Sequence, residues 1–290
     1  MFQVGARRFK SWEKPPLRPE HDFYKYFSFI IPDVLQFFRH ELTWYDKCPS
    51  VISKNISLPP YFEKTNQKIE EILPIWSDLK TYSDGRICYH IYKFFYSALK
   101  DPEYRALSQY NKNIFLWTVL LHDICKKGRP VVTGKDPAHP FRSAWKTLYY
   151  LQDPFEWIKL SEKDFAEWDQ IFEKGFEYKG GKEIQNHQIV PDVKQFLDKK
   201  LKDKNFEKEL LYYILLHQSV PMLKEHPHAS LLEPVERELP KYLDKRMFRI
   251  FRLILRHDSF SYLLYYSTEM KRNFGKEIDH NLDFIKEYIK

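Results

Sequence analysis

Apolar and aromatic residues recur along most of the chain at the three- and four-residue spacing of helices with one buried face. The first twenty residues break this pattern, because Pro15, Pro16 and Pro19 favour an extended arm. Between 23 and 44 an apolar, aromatic stretch is interrupted by Pro32, which predicts two short helices or one kinked helix. Pro59 and Pro60 mark a loop, 64–79 reads as a helix, and Ser-Asp-Gly-Arg at 83–86 is a turn. A helix over 88–100 carries His90. The stretch 113–124 is the most apolar and is predicted to lie at the centre. Gly128, Pro130 and Gly134 then open a loop, and Pro140 suits the first turn of a helix to about 152, where its missing N–H costs nothing. Ser161 opens another helix, with Glu162 and Asp164 in the favoured first turn.

Residues 176–185 alternate around Gly180-Gly181 and read either as a small hairpin or as a surface loop. Helices are expected again over 191–201, 206–217, 241–256, 259–270 and 276–289. The fold class is all-α, a helical bundle with additional N-terminal helices and room for one β-hairpin. Residues 1–85 form an arm and helical layer and 86–290 the main body, a division also compatible with one continuous domain.

Composition narrows this picture. With 43% hydrophobic and 17% aromatic residues, the 290-residue chain can bury a sizeable core and is not disordered. The net charge of +7 favours anionic partners, such as nucleotides or nucleic acid, although a lysine-rich solvated surface gives the same excess. Cys48, Cys88 and Cys125 are odd in number and lack a CxxC spacing, which points to a reducing compartment. No signal-peptide pattern and no run of eighteen apolar residues occurs, so no membrane span is expected and the cytoplasm is the default. A P-loop, a GxGxxG and a GxSxG are all lacking.

Candidate chemistry lies where apolar helices end. His122-Asp123 closes one such run, His217 closes Leu-Leu-Tyr-Tyr-Ile-Leu-Leu, and Asp258 follows Phe-Arg-Ile-Phe-Arg-Leu-Ile-Leu-Arg-His. His90 lies near the start of an amphipathic helix. Buried imidazoles and carboxylates need partners, and one shared cation would satisfy several together. Mixed nitrogen and oxygen ligation suits Fe, Mn, Zn, Co or Ni.

The order His90, His122-Asp123, Asp258 resembles the HD-domain metal-dependent phosphohydrolase superfamily. Leu-Leu-His-Asp-Ile-Cys-Lys-Lys-Gly at 120–128 is similar to that family's apolar-His-Asp-Ile-small-Lys pattern. His-Pro-Phe-Arg-Ser-Ala at 139–144 resembles the His-x-x-x-Ser-Ala segment in the HD portion of bacterial tRNA nucleotidyltransferases, and Ile-Leu-Leu-His-Gln-Ser resembles that subgroup's later histidine. The likeness covers about 89–266. It implies an all-helical fold in which His90, His122, Asp123 and Asp258 hold a first metal. His139 and His217, with Asp123 bridging, would hold a second. One or two transition-metal ions are implied, with Mg a further candidate.

Asp123 and Lys126 would be catalytic, and Lys126, Lys127 and Arg142 would neutralise phosphate charge. Cys125 stands where the family often has glycine. The first 85 residues lack the catalytic head of the tRNA nucleotidyltransferases, so nucleotide addition is not implied. The expected activity is hydrolysis of a phosphomonoester or phosphodiester, in a phosphorylated small molecule or nucleotide. The alternatives are an HD-fold regulator without turnover and a nucleic-acid-binding helical module. His257 is left to packing or a supporting role. His226 and His228 form a loop pair, and His21, His40, His187 and His280 have no context that raises them.

Overall fold

A computed structural model of the chain describes residues 17–47, 58–81, 85–127, 136–179, 182–185, 189–220 and 238–289. These residues form an all-α bundle with one two-stranded hairpin. A 3-10 turn at Pro19–His21 leads to α1 (Phe23–Phe27) and α2 (Ile30–Lys47). The break falls at Ser28 and Phe29, not at Pro32. Pro32 sits in the first turn of α2, where no intrahelical partner awaits an N–H. A second 3-10 turn, Pro60–Phe62, precedes α3 (Glu63–Ile72) and α4 (Ile75–Thr81). The single helix expected over 64–79 is therefore two, because Pro74 disfavours the helical conformation at Leu73.

The body of the bundle continues with α5 (Arg86–Lys100), α6 (Pro102–Arg105), α7 (Gln109–Leu121) and α8 (His139–Gln152). Helix α9 (Glu162–Gly175) runs into β1 (Phe176–Lys179), which pairs antiparallel with β2 (Lys182–Gln185), Phe176 opposite Gln185. Of the two options for 176–185, the hairpin is the one formed; its Gly180-Gly181 tip lies outside the described residues. Helices α10 (Ile189–Lys200) and α11 (Asn205–Leu216) follow, then α12 (Lys245–Tyr262), α13 (Thr268–Asn281) and α14 (Asp283–Ile289). The helices expected over 241–256 and 259–270 are differently cut. One helix runs through His257-Asp258 to Tyr262, and the break comes before Ser267.

Side-chain caps fix several starts. Asp101 accepts from Glu103 N at 2.6 Å ahead of α6, and Asp244 accepts from Met247 N at 2.7 Å ahead of α12. Ser161 and Asp164 bond reciprocally, a capping box opening α9.

Helix α7 is buried on nearly every side and is enclosed by α1, α5, α11 and α12. Its polar residues are satisfied internally. Thr118 donates to Ile114 O at 2.7 Å, and Asn113 Oδ1 accepts from Phe23 N at 2.6 Å. Trp117 donates its indole N–H to His21 O at 2.9 Å, which ties the 17–23 segment onto α7. Phe23, Phe38, Phe62 and Trp76 share one cluster of buried residues with Leu120, Leu216 and Ile254. Each such side chain contributes about 1.5–3 kcal/mol on burial. Around α7, α5 packs along α12, α8 lies on α11, and α9 bridges α8 and α10. These two pairings, α5 with α12 and α8 with α11, bring the candidate ligands to the end of α7. No helix among the described residues is long and apolar enough to cross a membrane.

Candidate metal centre

His122 is the C-cap of α7 and Asp123 begins the turn beyond it. Adjacent residues on a helix point about 100° apart; at a helix end both can still face one point. Both are fully buried. Helix α5 supplies His90 and α12 supplies Asp258, whose side chain retains 20% exposure. His139 is the first residue of α8 and His217 the C-cap of α11.

All six groups meet. His90 Nε2 lies 2.8 Å from Asp258 Oδ1 and 3.6 Å from Asp123 Oδ2. His122 Nε2 is 3.5 Å from Asp123 Oδ2 and 3.8 Å from Asp258 Oδ1. On the other side of Asp123, Oδ1 is 2.8 Å from His139 Nε2 and 3.6 Å from His217 Nε2. His90, His122 and Asp123 form one group with ligand atoms within 4.8 Å of one another, and Asp123, His139 and His217 form a second. Asp123 belongs to both.

The tautomers follow from the partners of the far nitrogens. His122 Nδ1 lies 2.9 Å from Val119 O, His217 Nδ1 lies 2.7 Å from Ile214 O, and His139 Nδ1 meets Asp136 O. A carbonyl oxygen can only accept, so each Nδ1 carries the proton. Ser261 donates its hydroxyl to Asp258 O, so its oxygen accepts from His90 Nδ1, 2.8 Å away. All four imidazoles therefore present unprotonated Nε2 atoms to the same space. His139 and His217 aim theirs at each other across 3.0 Å. Nor do the carboxylates satisfy them: His90 Nε2, His122 Nε2 and Asp123 Oδ1 are buried without a hydrogen-bond partner.

Lone pairs packed this closely repel unless a cation lies among them. A proton is a poor candidate near neutrality. Burial pushes the His122 imidazole down to about 3, only partly offset by Asp123 and Asp258. Burial likewise holds His90 and His139 below the usual imidazole value. Burial would raise the Asp123 carboxyl, but Lys126, then His122 and His139, outweigh it and hold it well below the carboxylate range. Neutral imidazoles and ionised carboxylates are the forms that ligate metals. Two ligands ~2.1 Å from a common ion at near right angles stand ~3 Å apart, close to the spacings here. Bonding of the far ring nitrogen to a carbonyl or hydroxyl is also the usual second-sphere arrangement of a metal-binding histidine. The residues thus fit a divalent cation in each group.

The candidate cations divide. Lys126 reaches Asp123 Oδ2 at 2.7 Å with its side chain 20% exposed, so it belongs to the centre. Arg142 does not. Its guanidinium grips Asp136 Oδ1 at 2.6 Å and Oδ2 at 2.5 Å. The same Asp136 accepts from the Lys127 backbone N–H at 2.6 Å. Arg142 therefore braces the residue whose carbonyl orients His139, and Lys127 is held there by its main chain. His257 turns away from the centre: its Nε2 donates to Asp101 Oδ2 at 3.0 Å, and its Nδ1 accepts from Ser97 at 2.8 Å.

His21 pairs with Glu207 at 3.1 Å in the core. His40 and His280 are exposed, and His187, His226 and His228 lie outside the described residues. Cys88 and Cys125 are free thiols. Asp136 and Ser261, which orient two of the imidazoles, escape a reading of the sequence. A lone Asp or Ser carries no signal until its distance to a histidine is known.

No known protein family, curated protein or solved structure matches the chain in direct comparison.

Proposed function

We propose that the protein is an HD-type, metal-dependent phosphohydrolase acting on a phosphomonoester or phosphodiester of a nucleotide-related small molecule. The observation that carries this reading is the convergence of four Nε2 lone pairs and two carboxylates from five helices on one buried space. His90, His122, Asp123 and Asp258 would hold one ion, and Asp123, His139 and His217 a second. Held by these residues, ions of the Fe, Mn, Co, Ni or Zn kind would supply Lewis acidity towards phosphoryl oxygens and would lower the pKa of water. Asp123 would serve both groups, since its Oδ2 faces His90 and His122 and its Oδ1 faces His139 and His217. Lys126 neutralises part of its charge and keeps an exposed edge from which to meet a phosphoryl oxygen. The overall charge of +7 suits an anionic substrate.

Purification without a histidine tag, metal analysis, and a screen of phosphomonoesters and 2′,3′-cyclic phosphodiesters with added Mn, Co or Ni test this. Near-stoichiometric metal and turnover are expected in the native protein. Asp123→Ala should abolish both, since it removes the ligand shared by the two groups. Metal retained by that variant would overturn the assignment. Metal without turnover on any substrate would instead favour an HD-fold regulator.

A further inference from the structure

Beside the centre stand two residues that the ligand set does not use. Tyr262 lies one turn beyond Asp258 on α12, with its ring stacked on the His90 imidazole at 4.5 Å and 24°. It is 52% exposed, unusual for an aromatic that touches the interior of a site. Lys93 lies nearly one turn beyond His90 on α5, and its amine stands 5.7 Å from the centre of the same Tyr262 ring. That amine also stands 5.3 Å from the centre of the Tyr89 ring. Among the described residues no carboxylate pairs with Lys93, whereas Lys126 is bound to Asp123 at 2.7 Å.

Partial burial without a counter-charge brings the Lys93 amine down to about 8. A desolvated ammonium lacking an anion is costly, and two ring faces offset only part of that cost. One aromatic ring therefore separates this unmatched cation from the candidate ligand His90, on the side where Asp258 and Tyr262 keep solvent exposure.

We propose that Lys93 and the exposed part of Tyr262 form a second subsite, which takes an additional anionic group of the substrate while the first phosphate lies at the metals and Lys126. The substrate class is then a bis-anionic phosphorylated compound, not a simple monophosphate. This rests on the phosphohydrolase reading above. Lys126 serves the phosphate at the metals, Lys93 the distal group, and Tyr262 the carbon framework joining them.

Metal-loaded protein and Lys93→Met, which keeps the length of the side chain without its charge, are titrated with inorganic phosphate, adenosine 5′-monophosphate and adenosine 3′,5′-bisphosphate. Native protein should bind the bisphosphate about tenfold more tightly than the monophosphate, the usual worth of one charged hydrogen bond. Lys93→Met should lose that margin while phosphate affinity and metal content stay unchanged. Equal affinities for the two nucleotides in native protein, or an unaltered margin in the variant, would overturn the subsite and leave the metal centre standing. A protein that takes up no metal would overturn both. If Lys93→Met alters metal content, Lys93→Gln repeats the comparison, and an intact bisphosphate margin in it counts against the subsite.

Discussion

At the residue scale, the centre depends on side chains that never touch a cation. Ser261 is one. Its hydroxyl donates to Asp258 O and its oxygen accepts from His90 Nδ1 at 2.8 Å, so one small residue sets the tautomer of one candidate ligand and braces the backbone of another. Ser261→Ala leaves every proposed ligand in place and frees the His90 ring to rotate or to move its proton to Nε2. Metal affinity is expected to fall about tenfold, the usual cost of losing an outer-sphere partner. Competition with a chromophoric chelator measures it, and an affinity equal to that of native protein would remove His90 from the ligand set. The converging side chains themselves are legible in sequence because His122, Asp123 and His217 end runs too apolar to tolerate a lone polar group. Ser261, Asp136 and Lys93 are not legible, because each looks like an ordinary helix or loop residue until the fold supplies its neighbour.

At the element scale, α5 and α12 must keep their register for His90 to face Asp258. Asp101 fastens them. It caps α6 through Glu103 N, accepts from His257 Nε2 at 3.0 Å and pairs with Arg256 at 2.9 Å. The hydrogen bond from His257 brings the Asp101 carboxyl down to about 2 in spite of its partial burial. A depressed carboxylate contributes stability that is present above its unfolded value near 4 and is lost as pH falls towards 2. Asp101→Asn keeps an acceptor for the cap and removes the charge. It should cost about 1–2 kcal/mol at pH 7, and the gap between the two urea midpoints should narrow steadily below pH 4. A gap constant from pH 7 to pH 3 would mean that the charge contributes nothing. The same helix shows why element boundaries were harder to read than element types. His257-Asp258-Ser259 looks like a polar stop after an apolar run. Yet in α12 each finds its partner in space or faces solvent, so the helix continues to Tyr262. At 64–79 the opposite occurred: periodicity carried through Pro74, but the backbone did not.

At the scale of the whole molecule, the bundle gathers its strongest electrostatic conflict into one place. Helix ends from α7, α8 and α11 and the flanks of α5 and α12 are held together by an apolar cluster that reaches from Phe23 to Ile285. At the meeting point, buried lone pairs face one another with three atoms left unpartnered. Packing and the hydrogen bonds behind each ring keep them there, at a cost that a bound cation would turn into a gain. Anything that binds the native state and not the unfolded chain stabilises it by mass action, about 2.7 kcal/mol at a hundredfold excess over Kd. For a chain of this size that corresponds to a rise of about 5 °C in Tm. Chelation of purified protein should therefore lower Tm by several degrees, and readdition of Mn, Co or Ni should restore it. In Asp123→Ala neither treatment should move Tm, because the ligand common to both groups is gone. A native protein whose Tm ignores both chelator and metal would mean that the bundle tolerates these lone pairs without an ion, and the convergence of the six side chains would then need a different chemical explanation.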